Sequence, residues 1–157
     1  MTNEDRALRE HLIARLREKQ AHLGFDAAVA DWPAALRGVK PQGAPHTAWQ
    51  LLEHLRIAQW DILEFSRDAK HISPKFPEGY WPKADAPPAP DAWDKSIAAY
   101  RADHAAMIKL VDNASTELFK RLPWGKGQTV LREAMVVADH AAYHIGQLVL
   151  LRRMLEA

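Results

Sequence analysis

The sequence contains no cysteine, and this absence excludes several kinds of site. Without thiols the chain has no disulfide, no cysteine-ligated zinc, no iron–sulfur cluster and no cysteine nucleophile. The sequence also lacks an excess of one charge. It has 21 Lys and Arg residues and 20 Asp and Glu residues, which gives a formal net charge of +1. A nearly neutral chain has no global field to hold nucleic acid or an anionic membrane. We therefore expect neither as a partner.

Long hydrophobic runs are missing as well. The longest one near the C-terminus, residues 148–151, is far shorter than the ~20 residues that span a bilayer. The first residues are charged, unlike a secretory signal peptide, so the sequence predicts a cytoplasmic protein. With 157 residues, 48 % hydrophobic and 26 % charged, we expect one globular domain over residues 1–157.

Apolar residues recur with helical spacing in four stretches, and no stretch alternates as a strand does. Gly24 is the predicted end of the first helix. Thr47, with Gln50, matches a capping box at the start of the second, and Asp91 and Thr129 are the predicted caps of the third and fourth. The apolar side of the first helix comprises Leu8, Leu12, Ile13, Leu16 and Leu23.

The connections between these helices are long. Residues 25–46 contain several prolines and glycines, and we expect them to be mostly irregular, with one helical turn at 26–30. The second helix should fade near 67–70, after which residues 71–90 carry six prolines and predict an ordered surface crossing. Residues 115–122 form a short amphipathic piece. The sequence thus predicts an all-α four-helix bundle with two crossing connections.

A histidine pair on the last helix is the first candidate for chemistry. His140 and His144 are four residues apart, so both imidazoles lie on one face and can reach one cation. Val136 and Leu148 extend that face, which is therefore apolar and inward. The zincin motif is absent, since Ala141 follows the first histidine. Two separately hydrogen-bonded histidines are the alternative to a metal site.

His54 on the second helix is the candidate third ligand, if the second and fourth helices are neighbours. Three imidazoles leave a position open for water or substrate, as catalytic sites do. A hydrogen bond across the bundle is the alternative. Trp81 either lines the mouth of a site or anchors its own proline-rich loop. We favour the second interpretation. The other histidines are expected to be surface, helix-end, loop or partly buried residues without a role: His11, His22, His46, His71 and His104.

These motifs make the sequence similar to the DinB/YfiT-like superfamily over nearly its whole length. The resemblance is carried by His54 within WQLLEHLR and by the final-helix segment DHAAYHIGQ, residues 139–147. It implies an up-down-down-up bundle in which His54, His140 and His144 jointly bind a divalent metal ion, with zinc or nickel as the expected metal. It also implies a homodimer.

The activity implied by the resemblance is a thiol-dependent transferase or isomerase. A metal would activate a low-molecular-weight thiol, or a water for hydrolase chemistry, against a small-molecule substrate. Gln50, Tyr143 and Gln147 lie near the ligands as pocket groups or as partners of the imidazoles, and no general base is assigned. Two alternatives stay open: a non-enzymatic metal- or small-ligand-binding bundle, such as a sensor or stress protein, and a purely structural dimeric bundle.

Overall fold

The computed structural model describes residues 2–17 and 21–157 and shows a helical protein. Within these residues there is no strand, only an isolated bridge between Arg121 and Thr129. The all-α prediction is confirmed, whereas the up-down-down-up order stays a prediction. The described residues form five α-helices: α1 (Asn3–Leu16), α2 (Phe25–Val29), α3 (Ala48–Arg67), α4 (Ala92–Asp112) and α5 (Val130–Glu156).

The start of α3 follows from its capping box. The Gln50 amide donates to Thr47 Oγ1, and the Thr47 amide donates to Gln50 Oε1, both at 3.1 Å. Two amides that have no partner within the helix are thereby satisfied. The helix ends at Arg67, within the predicted interval.

The caps of the next two helices differ. Thr129 caps α5 as predicted, since its Oγ1 accepts from the Arg132 amide at 3.1 Å. Asp91 is the N-cap residue of α4, as predicted, but its side chain accepts from none of the described amides. The Asp91 carboxylate instead pairs with Lys95 at 2.6 Å, and its backbone is helical rather than extended, which turns the side chain away from the first amides.

The predicted end of the first helix was wrong. α1 ends at Leu16, the last residue of its buried stripe, and Leu23 is half exposed. Gly24 is the N-cap of α2 rather than the end of α1. The physical reason is that the next side chain to cover the core after Leu16 is Phe25 of α2. Phe25 is buried, and its ring stacks on Tyr100 of α4. Residues 18–20 of the predicted helix lie outside the described part of the chain.

Arg9 ties α1 to the end of α4. Its side chain is buried, and its guanidinium donates to the carbonyls of Val111, Asn113 and Thr116 at 2.5, 2.9 and 2.7 Å. The carbonyls at a helix C-terminus carry partial negative charge and lack partners within the helix. Asp5, one turn earlier, accepts from Arg9 Nε at 2.9 Å. One buried cation therefore closes the α4 terminus and fixes the position of α1.

The two long connections are largely non-helical, as predicted. Residues 25–46 hold α2 and one 3-10 turn, and residues 71–90 hold only the 3-10 turn Glu78–Tyr80. The latter crossing is fastened to the start of α3, where Thr47 Oγ1 donates to the Asp85 carbonyl at 2.6 Å. Residues 115–122 are amphipathic but form turns instead of a helix, with Leu118 and Leu122 buried.

Two apolar clusters fill the interior. One joins α2 to parts of α3, α4 and α5 and includes Trp49, Leu52 and Trp93, and the other includes Leu63 and Met107. Along α3 the first cluster reaches residue 55, and along α5 it begins at residue 141. His140 therefore lies between the two clusters along α5, and His54 and His144 lie beside members of the first cluster.

α5 is long and apolar enough to cross a membrane, judged by length and composition alone. Core helices of globular proteins pass the same test. Ala134, Val137, Ile145 and Leu148 on this helix are buried in the two clusters. The match is therefore weak evidence for a membrane span.

Candidate metal centre

The three predicted histidines meet at one point between α3 and α5. Nε2 of His54 lies 2.9 Å from Nε2 of His140 and 3.1 Å from Nε2 of His144. One nitrogen from each ring can be chosen so that all three lie within 4.8 Å of one another. His54 and His144 are each only 7 % exposed. The arrangement can hold one cation.

The helices explain this convergence. α3 and α5 pack along much of their length, which places the His54 turn opposite the turn that joins His140 to His144. The helical spacing of four residues aligns the latter two rings, as predicted. Burial of Leu55 and Ile145 beside them holds both helices at this level.

Two of the rings are oriented by hydrogen bonds to oxygen atoms. Nδ1–H of His54 donates to the Tyr80 carbonyl at 2.9 Å, and Nδ1–H of His144 donates to Gln147 Oε1 at 2.7 Å. A ring that is neutral and protonated at Nδ1 carries a lone pair at Nε2. His54 and His144 therefore face each other with two lone pairs 3.1 Å apart. A cation between them removes that repulsion.

The electrostatics keep all three rings neutral. Burial lowers the pKa of His54 to about 4, against an opposing contribution from the Tyr80 carbonyl. Burial, followed by the neighbouring rings, lowers the pKa of His140 to about 3. The pKa of His144 is also lowered, chiefly by burial. Neutral imidazoles with free lone pairs are the form that binds metals.

The donor set fits a divalent transition metal. Three imidazoles suit zinc, nickel, iron or copper, and the order of affinities does not select among them. A tetrahedral zinc with Zn–N bonds of about 2.0–2.1 Å keeps its ligand nitrogens about 3.3 Å apart. The two separations from His54 Nε2, 2.9 Å to His140 and 3.1 Å to His144, are within a few tenths of an ångström of that value. These two distances need only a slight increase to accept such an ion.

The loop residue Trp81 forms one wall of the centre, which agrees with the less favoured of its two sequence interpretations. Its indole stacks on the His54 ring at a centroid distance of 3.8 Å and an angle of 2°. His46 stacks on the same indole, also at 3.8 Å. Our preferred reading of Trp81 as a residue that only pins its own loop was wrong, because it contacts a candidate ligand. His46 lies in a loop, as predicted, but beside the centre.

An apolar slot adjoins the centre. Its volume is about 230 Å³, and its polar lining residues include His46 and Gln147. Gln147 belongs both to the slot and to the partners of His144. Its apolar walls are formed by Ala44, Pro45, Leu51, Leu150, Leu151 and Met154.

The remaining histidines are apart from this cluster. His104 is partly buried, as expected, and its Nε2 lies 2.7 Å from the Leu16 carbonyl. His71, which we expected on the surface, has a buried side chain that contacts Asp61 Oδ1 at 2.7 Å. The expectation failed because the 71–90 crossing folds back over α3.

Fold and site together define an all-α protein with a three-histidine cluster suited to a divalent metal. A sequence model of the DinB superfamily matches residues 19–148, which is most of the chain. The chain belongs to the DinB superfamily, and the predicted resemblance is confirmed. Comparisons with curated proteins and with solved structures gave no match.

Proposed function

We propose that this protein is a metal-dependent enzyme whose His54, His140 and His144 hold one zinc or nickel ion. The proposal rests on one observation, that the Nε2 atoms of His54 and His144 lie 3.1 Å apart. Both atoms carry a lone pair, because each ring donates its proton from Nδ1 to an oxygen atom. Three protein ligands leave a coordination position for an exogenous group. A thiol-dependent transferase or isomerase is the activity we favour, with hydrolysis by bound water as its variant.

The chemistry of such a centre divides between the ion and the chain. A bound cation supplies charge that lowers the pKa of a coordinated thiol or water, so that the nucleophile forms near neutral pH. The Tyr80 carbonyl and Gln147 hold two of the rings in the ligating tautomer. Trp81 covers one face of His54 and excludes water from it. The chain itself has no thiol, so a low-molecular-weight thiol has to come from outside.

The slot beside the centre supports a small-molecule substrate. Its 230 Å³ exceeds the roughly 150 Å³ of a cavity that holds benzene, so it accepts a group of about one substituted ring. Apolar walls favour an uncharged group, and Gln147 links the slot to a ring of the metal centre. We infer that the apolar part of the substrate lies here.

Metal analysis tests the proposal. Untagged protein, reconstituted with zinc or nickel and then dialysed, should retain about one equivalent by mass spectrometry. His54→Ala and His144→Ala should each retain almost none, because two imidazoles bind far more weakly than three. His104→Ala is the control, since this partly buried histidine lies outside the cluster, and it should retain metal like the wild type. No metal in the wild type, or full retention in His144→Ala, would contradict the proposal.

A non-enzymatic metal-binding bundle is the second candidate, and the burial of the site favours it. His54 and His144 are 7 % exposed, and Trp81 lies against His54, which limits access to the ion. Cobalt-substituted protein separates the two functions. An enzyme of the proposed class should develop thiolate-to-cobalt absorption when a small thiol is added, whereas a closed storage or sensor site should not.

We further propose a cytoplasmic homodimer that forms through the outward face of α5. Met135, Tyr143 and Leu150 on this face are 57, 65 and 60 % exposed. Gly146 lies among them, and a Cβ added there meets no atom within 4 Å. A glycine in a helix interior destabilises by roughly 0.5–1 kcal/mol relative to alanine. Close approach of a second α5 accounts for a glycine that the monomer does not need.

Sedimentation tests the dimer. The wild type should sediment at twice 17.7 kDa, and Gly146→Leu should sediment as a monomer, because the new side chain separates the two helices. Gly146→Leu should remain folded, since the space around Gly146 is open. Lys95→Leu, on the exposed side of α4, is a control for added apolar surface. A monomeric wild type, or a dimeric Gly146→Leu, would remove this part of the proposal.

A further inference from the structure

We propose that Asp61 is a positioning residue that fixes the tautomer and plane of the His54 ring through the loop at residues 71–81. This inference rests on the proposed metal centre, because it assigns a task to residues outside the ligand set. Asp61 lies on α3 two turns after His54 and is 6 % exposed. Its carboxylate has two partners, and both belong to the loop.

The Asp61 carboxylate contacts both ends of the loop. Oδ2 accepts from the Tyr80 hydroxyl at 2.6 Å, and Oδ1 lies 2.7 Å from His71 Nε2. Hydrogen bonds to a carboxylate are about twice as strong as neutral ones. Burial and then the Asp61 carboxylate raise the pKa of Tyr80, so its hydroxyl remains a donor at every physiological pH. Both ends of the loop are thereby held against one turn of α3.

The loop in turn contacts the candidate ligand His54. Tyr80, whose hydroxyl binds Asp61, also accepts the Nδ1 proton of His54 at its backbone carbonyl, 2.9 Å away. The next residue, Trp81, stacks on the same imidazole with the two planes within 2°. A single dipeptide therefore sets both the protonated nitrogen of His54 and the plane of its ring. Its own position is set by Asp61.

The tautomer of His54 determines whether its Nε2 atom can bind a metal. A fixed acceptor at Nδ1 selects the tautomer with a lone pair at Nε2, the atom that faces the other two histidines. Without that acceptor both tautomers become populated, and the ring can turn. Loss of such an outer partner typically weakens metal binding 10–100-fold. A carboxylate that only stabilised the loop would leave the His54 tautomer and the metal affinity unchanged.

The test combines two readouts on the full chain. Asp61→Asn keeps the shape of the side chain but replaces one of its two accepting oxygens with an NH₂ donor, and Tyr80→Phe removes only the hydroxyl. Long-range proton–nitrogen spectra of the metal-free protein report which His54 nitrogen is protonated, and competition with a chromophoric chelator reports zinc affinity. We expect mixed tautomers at His54 and 10–100-fold weaker zinc binding in both variants, with His144 unaffected.

Ser66→Ala is the matched control. Ser66 is buried on the same helix, but its hydroxyl donates to the Ile62 carbonyl of α3 itself. This variant should leave both readouts at wild-type values. Lower thermal stability in Asp61→Asn and Tyr80→Phe, with an unchanged His54 tautomer, would reduce Asp61 to a structural tether. If the wild type binds no zinc, the proposed function fails, and the tautomer of the metal-free protein still decides this inference.

Discussion

Lowering the pH of the metal-free protein from 6.5 to 4.5 is expected to remove up to about 1.4 kcal/mol of stability per pH unit for each deeply buried histidine of the centre. In the unfolded chain a histidine has a pKa near 6.5. In the folded protein the pKa is about 4 for His54 and about 3 for His140. Between these values the unfolded chain binds protons that the folded chain excludes, so stability falls as the pH falls.

Urea unfolding with chelator present, repeated across this pH range, measures the effect. His140→Gln removes one titrating group, so its stability should fall less steeply than that of the wild type. The pKa of His104 is also lowered by burial and contributes in the same direction. The contribution of His140 is therefore read from the difference between the wild type and His140→Gln. Equal slopes would mean that His140 is protonated in the folded protein.

Replacement of Arg9 by methionine is expected to destabilise the protein by about 3 kcal/mol or more. Methionine retains much of the apolar stem but leaves the carbonyls of Val111, Asn113 and Thr116 without their donor. A buried acceptor without a partner costs about 1–3 kcal/mol. The loss is measured as a shift of the urea midpoint at pH 7.

Arg6→Met is the matched control for this change. Arg6 lies on the same helix, one turn earlier, and is exposed, so its replacement should alter stability by less than about 0.5 kcal/mol. Zinc binding at low temperature should be preserved in both variants, because neither arginine contacts the histidine cluster. Similar destabilisation by the two substitutions would show that Arg9 acts only through general charge.

Local signals in the sequence were sufficient for part of the fold and of the site. The capping box at Thr47 and the pair of His140 and His144 depend on spacing within one helix, which a periodic pattern determines. His54 needed more, because its role depends on which helices are neighbours. Its assignment came from the family resemblance, and the structure brings it to the pair.

Sequence patterns did not reveal the parts of the site that lie outside the helices. Tyr80 and Trp81 lie in a proline-rich crossing without periodicity, so nothing local indicates which helix they contact. The contact of His71 with Asp61 forms only because the chain reverses after α3. The missing side-chain hydrogen bond at the Asp91 cap has a related cause, since a residue type that favours a cap does not specify the backbone angles that such a bond requires.

The dependence of His54 on Tyr80 and Trp81 divides the centre into two separately variable parts. The helices α3 and α5 determine which atoms face the proposed ion, whereas a surface crossing determines how basic and how rigid one of those atoms is. We therefore expect substitutions in the crossing to alter the properties of the proposed centre while the bundle and all three histidines stay unchanged. For an engineer, the proline-rich segment is the place to vary first.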